Sequence, residues 1–197
     1  ECWEMVETAE KQRRHCVMLE NCCYGRTEMM VLNMVRQGLL GELLHGEAGY
    51  MHELREDREL LGPNGEVRWR LDHMIRRDGN LYPTHGLGPV AQCMDINRGD
   101  QFDYLVSMSS ISRGLNVHYA DRFGKDHSLA NRKYALGDVN VTMIKTKRGR
   151  TITVGHDTQL PRPYSRINMV QGTKGIVQGY PDRIALESNA HGHEWEP

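Results

Sequence analysis

The apolar positions of this chain follow two different periods. Residues 1–14 set Trp3, Val6 and Ala9 on one helical stripe, with charged residues elsewhere. Arg26–Gln37 predicts a second helix, with Met30, Val31, Met34 and Val35 on one side and Gly38 as its stop. Between them His15–Leu19 (HCVML) is a short apolar run that reads as a buried strand, followed by a loop at Asn21–Gly25. Helix, strand, loop and helix in succession signal α/β winding on a parallel sheet.

From Gly41 the period shortens. Glu42–Met51, Phe102–Ser109, Asp138–Lys147, Thr151–Thr158, Ile167–Gln178 and Arg183–Leu186 are short strand-like segments, and Lys147-Arg148-Gly149-Arg150 reads as a hairpin turn. Val139, Val141 and Met143 alternate with Asn140, Thr142 and Ile144, which predicts a buried Val/Met face opposite a half-polar one. Thr84–Ile96 is helix-compatible, residues 55–67 form a loop around Gly-Pro-Asn-Gly, and residues 111–135 read as a long irregular segment. The expected fold class is α/β then α+β: an α/β unit over 1–40, then a mainly antiparallel open sheet with a helix across it over 41–197.

Composition narrows the partners. In 197 residues, 25 Lys and Arg nearly cancel 26 Asp and Glu, so no strong field invites nucleic acid or an anionic membrane surface. No apolar run is long enough to cross a bilayer. The chain opens ECWEMVETAE, without an initiator Met, as if a helix were already under way, so upstream residues or processing are expected. The five cysteines lack a disulfide-framework spacing and are expected as reduced, partly buried thiols. A zinc site from His15, Cys16, Cys22 and Cys23 is the sharper alternative, weakened by the absence of a CxxC pair. His191 and His193 are spaced like metal ligands but have no partner in register, so no metal is expected.

The richest chemistry lies in GNLYPTHGLGP, residues 79–89. Pro83 fixes an extended approach, Thr84 suits a helix N-cap, and Tyr82 and His85 then project near a helix N-terminus, whose partial positive charge favours an anionic oxygen. Such a pair can exchange protons with a sugar hydroxyl or an acidified C–H; a His satisfied by the backbone is the plainer alternative. Asn21 follows the predicted strand, where open parallel sheets bind ligands. Arg70 is either a surface cation or a clamp for an oxygen-rich ligand. Tyr50 and Tyr164 taken singly are core or rim residues.

Taken together, MLENCCYGRTEMMVLNMVRQGLLGELLHGEAGYMHELR, WRLDH and GNLYPTHGLGPVAQCMDINRGDQFDYLVSMSS resemble glycoside hydrolase family 109 over essentially the whole chain. This is the NAD-dependent α-N-acetylgalactosaminidase branch of the Gfo/Idh/MocA oxidoreductase superfamily. The resemblance implies that residues 1–40 end a Rossmann-type NAD-binding domain and that 41–197 form the substrate-binding domain. It implies NAD contacts at Asn21 and Tyr82. It implies substrate contacts at Tyr50, Arg70, Tyr82, Pro83, Thr84, His85 and Tyr164, with His85 and Tyr82 as acid/base candidates. The implied chemistry is oxidation of the sugar at carbon 3, loss of the carbon-2 proton, elimination of the glycosidic oxygen, water addition and re-reduction. The implied partners are α-N-acetylgalactosaminyl glycans and, through the open sheet, a second copy of the chain. The resemblance implies an exported or periplasmic setting, and nothing in these residues rules out a cytoplasmic one. The glycine-rich nucleotide fingerprint is absent, so the chain is expected not to hold NAD alone. Two other functions remain open: a sugar oxidoreductase of the same superfamily with net redox, and a non-catalytic sugar- or partner-binding fragment.

Overall fold

A computed structural model describes residues 1–56, 60–189 and 194–196. The first helix, α1 (Cys2–Gln12), closes on Arg13 in the left-handed conformation and buries none of its residues. The run after it departs from expectation. His15–Leu19 forms no strand, and Val17, Met18 and Leu19 are 68%, 74% and 69% exposed. A strand needs a neighbour to satisfy its amide groups, and no described strand pairs with this run. The expected loop at Asn21–Gly25 is mostly a 3₁₀ turn, Asn21–Tyr24. Helix α2 (Arg26–Arg36) follows, burying Val31 and Leu32 rather than Met30.

One seven-stranded sheet organises the rest. Its strands are β1 (Leu43–Met51), β2 (Phe102–Ser109), β3 (Val139–Thr146), β4 (Thr151–Asp157), β5 (Met169–Gly172), β6 (Gly175–Gln178) and β7 (Arg183–Leu186). They lie in the order β2-β3-β4-β1-β5-β6-β7. Only β1 and β4 run parallel; the other pairs are antiparallel, and the sheet stays open at both edges. The segment expected as one strand over 167–178 is a hairpin, because Thr173-Lys174 turns the chain between Gly172 and Gly175.

Helix α4 (Thr84–Cys93) lies across one face, with α2 beside it, and closes a core of Val31, Leu43, Val90, Met94, Ile152 and Val170. A second core holds Leu71 and Met74 of α3 (Trp69–Arg76) against Leu115 and Tyr119 of α5 (Gly114–Phe123). Helix α5 occupies the segment read as irregular; Leu115 and Tyr119, one turn apart, are its buried pair.

The faces of β3 are the reverse of the expectation. Asn140, Thr142 and Ile144 are buried, whereas Val141 and Met143 are 48% and 51% exposed. The polar face is covered because its groups pair with one another. Asn140 Nδ2 donates to Ser107 Oγ and Ser109 Oγ, both at 2.9 Å, and Thr142 Oγ1 donates to Asn140 Oδ1 at 3.1 Å. Tyr104, Val106, Met108, Val141 and Met143 are left as an apolar patch on the opposite face. No described helix is long and apolar enough to cross a membrane.

Candidate active site

Four of the candidate residues meet where α4 begins over the end of β1. Tyr50, near the end of β1, is buried, and its ring centroid lies 4.7 Å from that of Tyr82 and 5.6 Å from that of His85. Tyr82 meets His85 edge-on at 4.8 Å. Arg70, in the first turn of α3, holds its Cζ 5.7 Å from the Tyr82 ring centroid, within cation–π range. The helix can descend this close because Gly86 faces Gly49 with no side chain between the backbones.

Thr84 is not the N-cap. Pro83 takes that position, and Thr84 is the first helical residue. Its side chain is engaged by the carboxylate of Glu20, which also accepts the Cys22 N–H at 3.0 Å and pairs with His85 Nδ1 at 2.7 Å. Burial pushes Glu20 upward, but these bonds and the nearby His85 together hold its carboxyl below the usual range. An ionised Glu20 can only accept, so the hydrogen of this bond sits on His85 Nδ1 and the ring's lone pair on Nε2. The anionic oxygen expected at this helix N-terminus is thus Glu20's, lying one residue from the Asn21 that the sequence offered. Asn21 opens the 3₁₀ turn with its side chain exposed.

Tyr164 stands at the rim, 39% exposed, and reaches the cluster through His52: its ring meets His52 edge-on at 5.0 Å, and His52 lies 5.8 Å from Tyr50. Behind the 3₁₀ turn, Arg166 pairs with Glu28 and bonds the Cys22 thiol. Pro83, Thr84, Glu20 and Met18 line a groove of about 480 Å³ along the outer flank of α4.

His156 was not singled out by the sequence. It sits beside Tyr50 on β4, 1% exposed, with its ring stacked at 6.2 Å and Nδ1 unpartnered. Burial, aided by the Arg70 charge, lowers its pKa from 6.5 to about 4. The unfolded chain takes up this proton near pH 6.5, and the folded chain resists it until about 4. Stability is therefore expected to fall by about 1–3 kcal/mol as pH drops through that window and to level off below it. His156→Gln should flatten that part of the profile in denaturant titrations; an unchanged slope would place its origin elsewhere.

All five thiols are free; Cys22, Cys23 and Cys93 are buried, and Cys2 and Cys16 are exposed. His15, Cys16, Cys22 and Cys23 do not assemble as a ligand set among the described residues; Glu20, Cys22 and His85 do. The His191-Gly192-His193 motif lies outside the described residues.

An open, mostly antiparallel sheet with helices packed on one face is a fold shared with solved oxidoreductases. The chain is similar in fold to an NAD-binding oxidoreductase from Klebsiella pneumoniae (TM-score 0.67, 14% identity, 98% of this chain, 48% of that one). It is also similar to an inositol dehydrogenase homolog from Azotobacter vinelandii complexed with NADH and myo-inositol (TM-score 0.61, 14% identity, 97% of this chain, 44% of that one). At the level of sequence, residues 24–197 match the profile of the glycosyl hydrolase 109 C-terminal domain. Family 109 proteins of Shewanella amazonensis and Shewanella baltica are 57% and 55% identical over 199 and 200 residues, covering all of this chain and 43% of theirs. The chain belongs to glycosyl hydrolase family 109, and it spans less than half the length of these relatives.

Proposed function

We propose that this chain is the substrate-facing part of an NAD-dependent glycosidase that removes terminal α-N-acetylgalactosamine. The observation that carries the proposal is the His85–Glu20 pair at 2.7 Å, opening onto Tyr50, Tyr82 and Arg70 in a family 109 chain. A glycosidase of the ordinary kind needs two carboxylates flanking the bond; here the one carboxylate of the cluster, Glu20, is engaged by His85, beside two phenols and a guanidinium.

The residues present fit one flank of a cofactor. Asn21, Tyr82 and the groove beside Thr84 offer polar groups and an apolar wall. NAD, when bound, supplies the acceptor and donor of a hydride at a sugar carbon. The chain's own residues do the proton work. His85 Nε2 takes a proton from a sugar hydroxyl or from a carbon made acidic by a neighbouring carbonyl, and Glu20 stabilises the imidazolium that results. Arg70 offers a fixed positive charge to an oxygen that becomes anionic. Tyr50 and Tyr164 orient the sugar, and Pro83 and Thr84, which line the groove, would hold the sugar against the cofactor when it is bound.

The test is hydrolysis of an aryl α-N-acetylgalactosaminide by the full-length protein, with NADH followed by absorbance. Release of sugar without net NADH supports the reading. NADH accumulating in step with sugar turnover would instead assign a sugar oxidoreductase. Tyr164→Phe is expected to raise KM severalfold while cofactor content stays constant; an unchanged KM would remove Tyr164 from the sugar site.

The apolar outer face of the sheet is assigned to a second copy of the chain, as the superfamily resemblance implies. Val106→Lys with Met143→Glu should convert a dimer to a monomer in sedimentation equilibrium. A wild-type monomer at micromolar concentration would exclude this contact.

A further inference from the structure

Glu20 and Cys22 alternate on one tight turn, and His85 reaches them from the start of α4. A carboxylate oxygen, a thiol sulfur and an imidazole nitrogen thereby lie within 4.8 Å of one another. Of the described residues, no other set of three or more His, Cys, Asp or Glu side chains is so placed. We propose that Glu20, Cys22 and His85 form an inhibitory binding site for a thiophilic divalent cation of the zinc type.

The donor set selects the ion. One sulfur, one nitrogen and one oxygen suit Zn²⁺, Cd²⁺ or Co²⁺ and do not suit Mg²⁺ or Ca²⁺, which take oxygen ligands. Three protein ligands with a fourth position open is the arrangement of an exchangeable zinc site rather than a closed structural one. Bonds of about 2.0–2.3 Å require the three atoms to close up slightly. Cys22 is buried, on a turn braced from behind by Arg166, whose charge is already paired with Glu28.

The consequence follows from the tautomer. In the metal-free cluster Glu20 holds the proton on Nδ1, and Nε2 is the basic nitrogen. A bound ion takes the Nδ1 lone pair, so the ring proton moves to Nε2, and the Cys22 thiol releases its proton to solvent. Nε2 then carries hydrogen and no lone pair, and the imidazole can no longer accept a proton. The cation displaces the proton that Glu20 and His85 share. Inhibition rests on His85 being the base proposed above; binding does not.

The full chain is titrated with Co²⁺, whose thiolate charge-transfer band reports sulfur ligation. A band saturating at one ion per chain is expected, lost in Cys22→Ser and kept in Cys23→Ser, with circular dichroism confirming that both fold. No band in the wild-type chain, or a band surviving in folded Cys22→Ser, would overturn the site. Should Cys22→Ser fail to fold, His85→Ala should bind zinc at least tenfold more weakly in a competition assay, and unchanged affinity would be equally decisive against it. In the full-length protein, zinc should suppress turnover and a chelator restore it. A positive cobalt titration with undiminished turnover would reject His85 as the base and the inhibitory role, while leaving ion binding in place.

Discussion

His85→Ala is expected to lower kcat for glycoside hydrolysis by about 10²–10⁴-fold, the range over which a positioned acid/base group acts. Among the described residues, the substitution removes the only imidazole that combines a carboxylate on Nδ1 with direct ring contacts to both Tyr50 and Tyr82. The other nearby histidines cannot replace it. His156 is sealed beside Tyr50 and held neutral down to about pH 4, and the His52 Nδ1 faces the Glu53 carbonyl at 3.1 Å. The fold should survive, because the His85 side chain is partly exposed and lies at the helix start rather than in either core. Cofactor content and thermal midpoint should therefore stay near wild type while turnover falls. Near-normal hydrolysis would end the assignment of His85 as the proton carrier.

Gly86→Ala should harm both stability and turnover, through packing alone. A Cβ at this position would lie less than 3.0 Å from the backbone N and O of Gly49. Neither partner is a side chain that can swing aside, so α4 must lift from β1 or the strand must bend. Overpacking of this kind costs about 1–3 kcal/mol. Residue 86 directly follows His85, so the same shift moves the imidazole relative to Tyr50; a displacement near 1 Å in an active site costs up to about 10²-fold. Thermal unfolding and kcat should fall together. A variant with wild-type Tm and kcat would show that this contact does not set the height of the helix.

Much of the fold was legible because strands and helices write their periods locally. The ranges of α2, β1, β2, β3, β4 and β7 follow the predicted segments to within two residues. The misreadings share one cause: burial is not a property of a segment alone. HCVML has strand composition but no described strand beside it. On β3 the apolar Val141 and Met143 face outward while Asn140 and Thr142 are covered, because the Ser107 and Ser109 hydroxyls on β2 satisfy them. Helix α5 was hidden in a polar segment whose buried pair, Leu115 and Tyr119, has meaning only against Leu71 and Met74.

The candidate site divides the same way. Residue types and local order picked out Tyr82 and His85, and the family resemblance added Tyr50, Arg70, Pro83, Thr84 and Tyr164. What the chain could not show was Glu20 against His85, 65 positions apart in sequence. Nor could it show Cys22 completing a ligand set, or His156 stripped of solvent beside Tyr50. Sequence by itself determined which chemical groups are available and the local element most of them sit on, because backbone propensity and hydrophobic period act over a few residues. Tertiary structure alone decided which groups touch, which proton sits on which nitrogen and which face is wet. Those depend on distances of a few ångströms between residues that only the sheet order and the Gly86–Gly49 approach bring together.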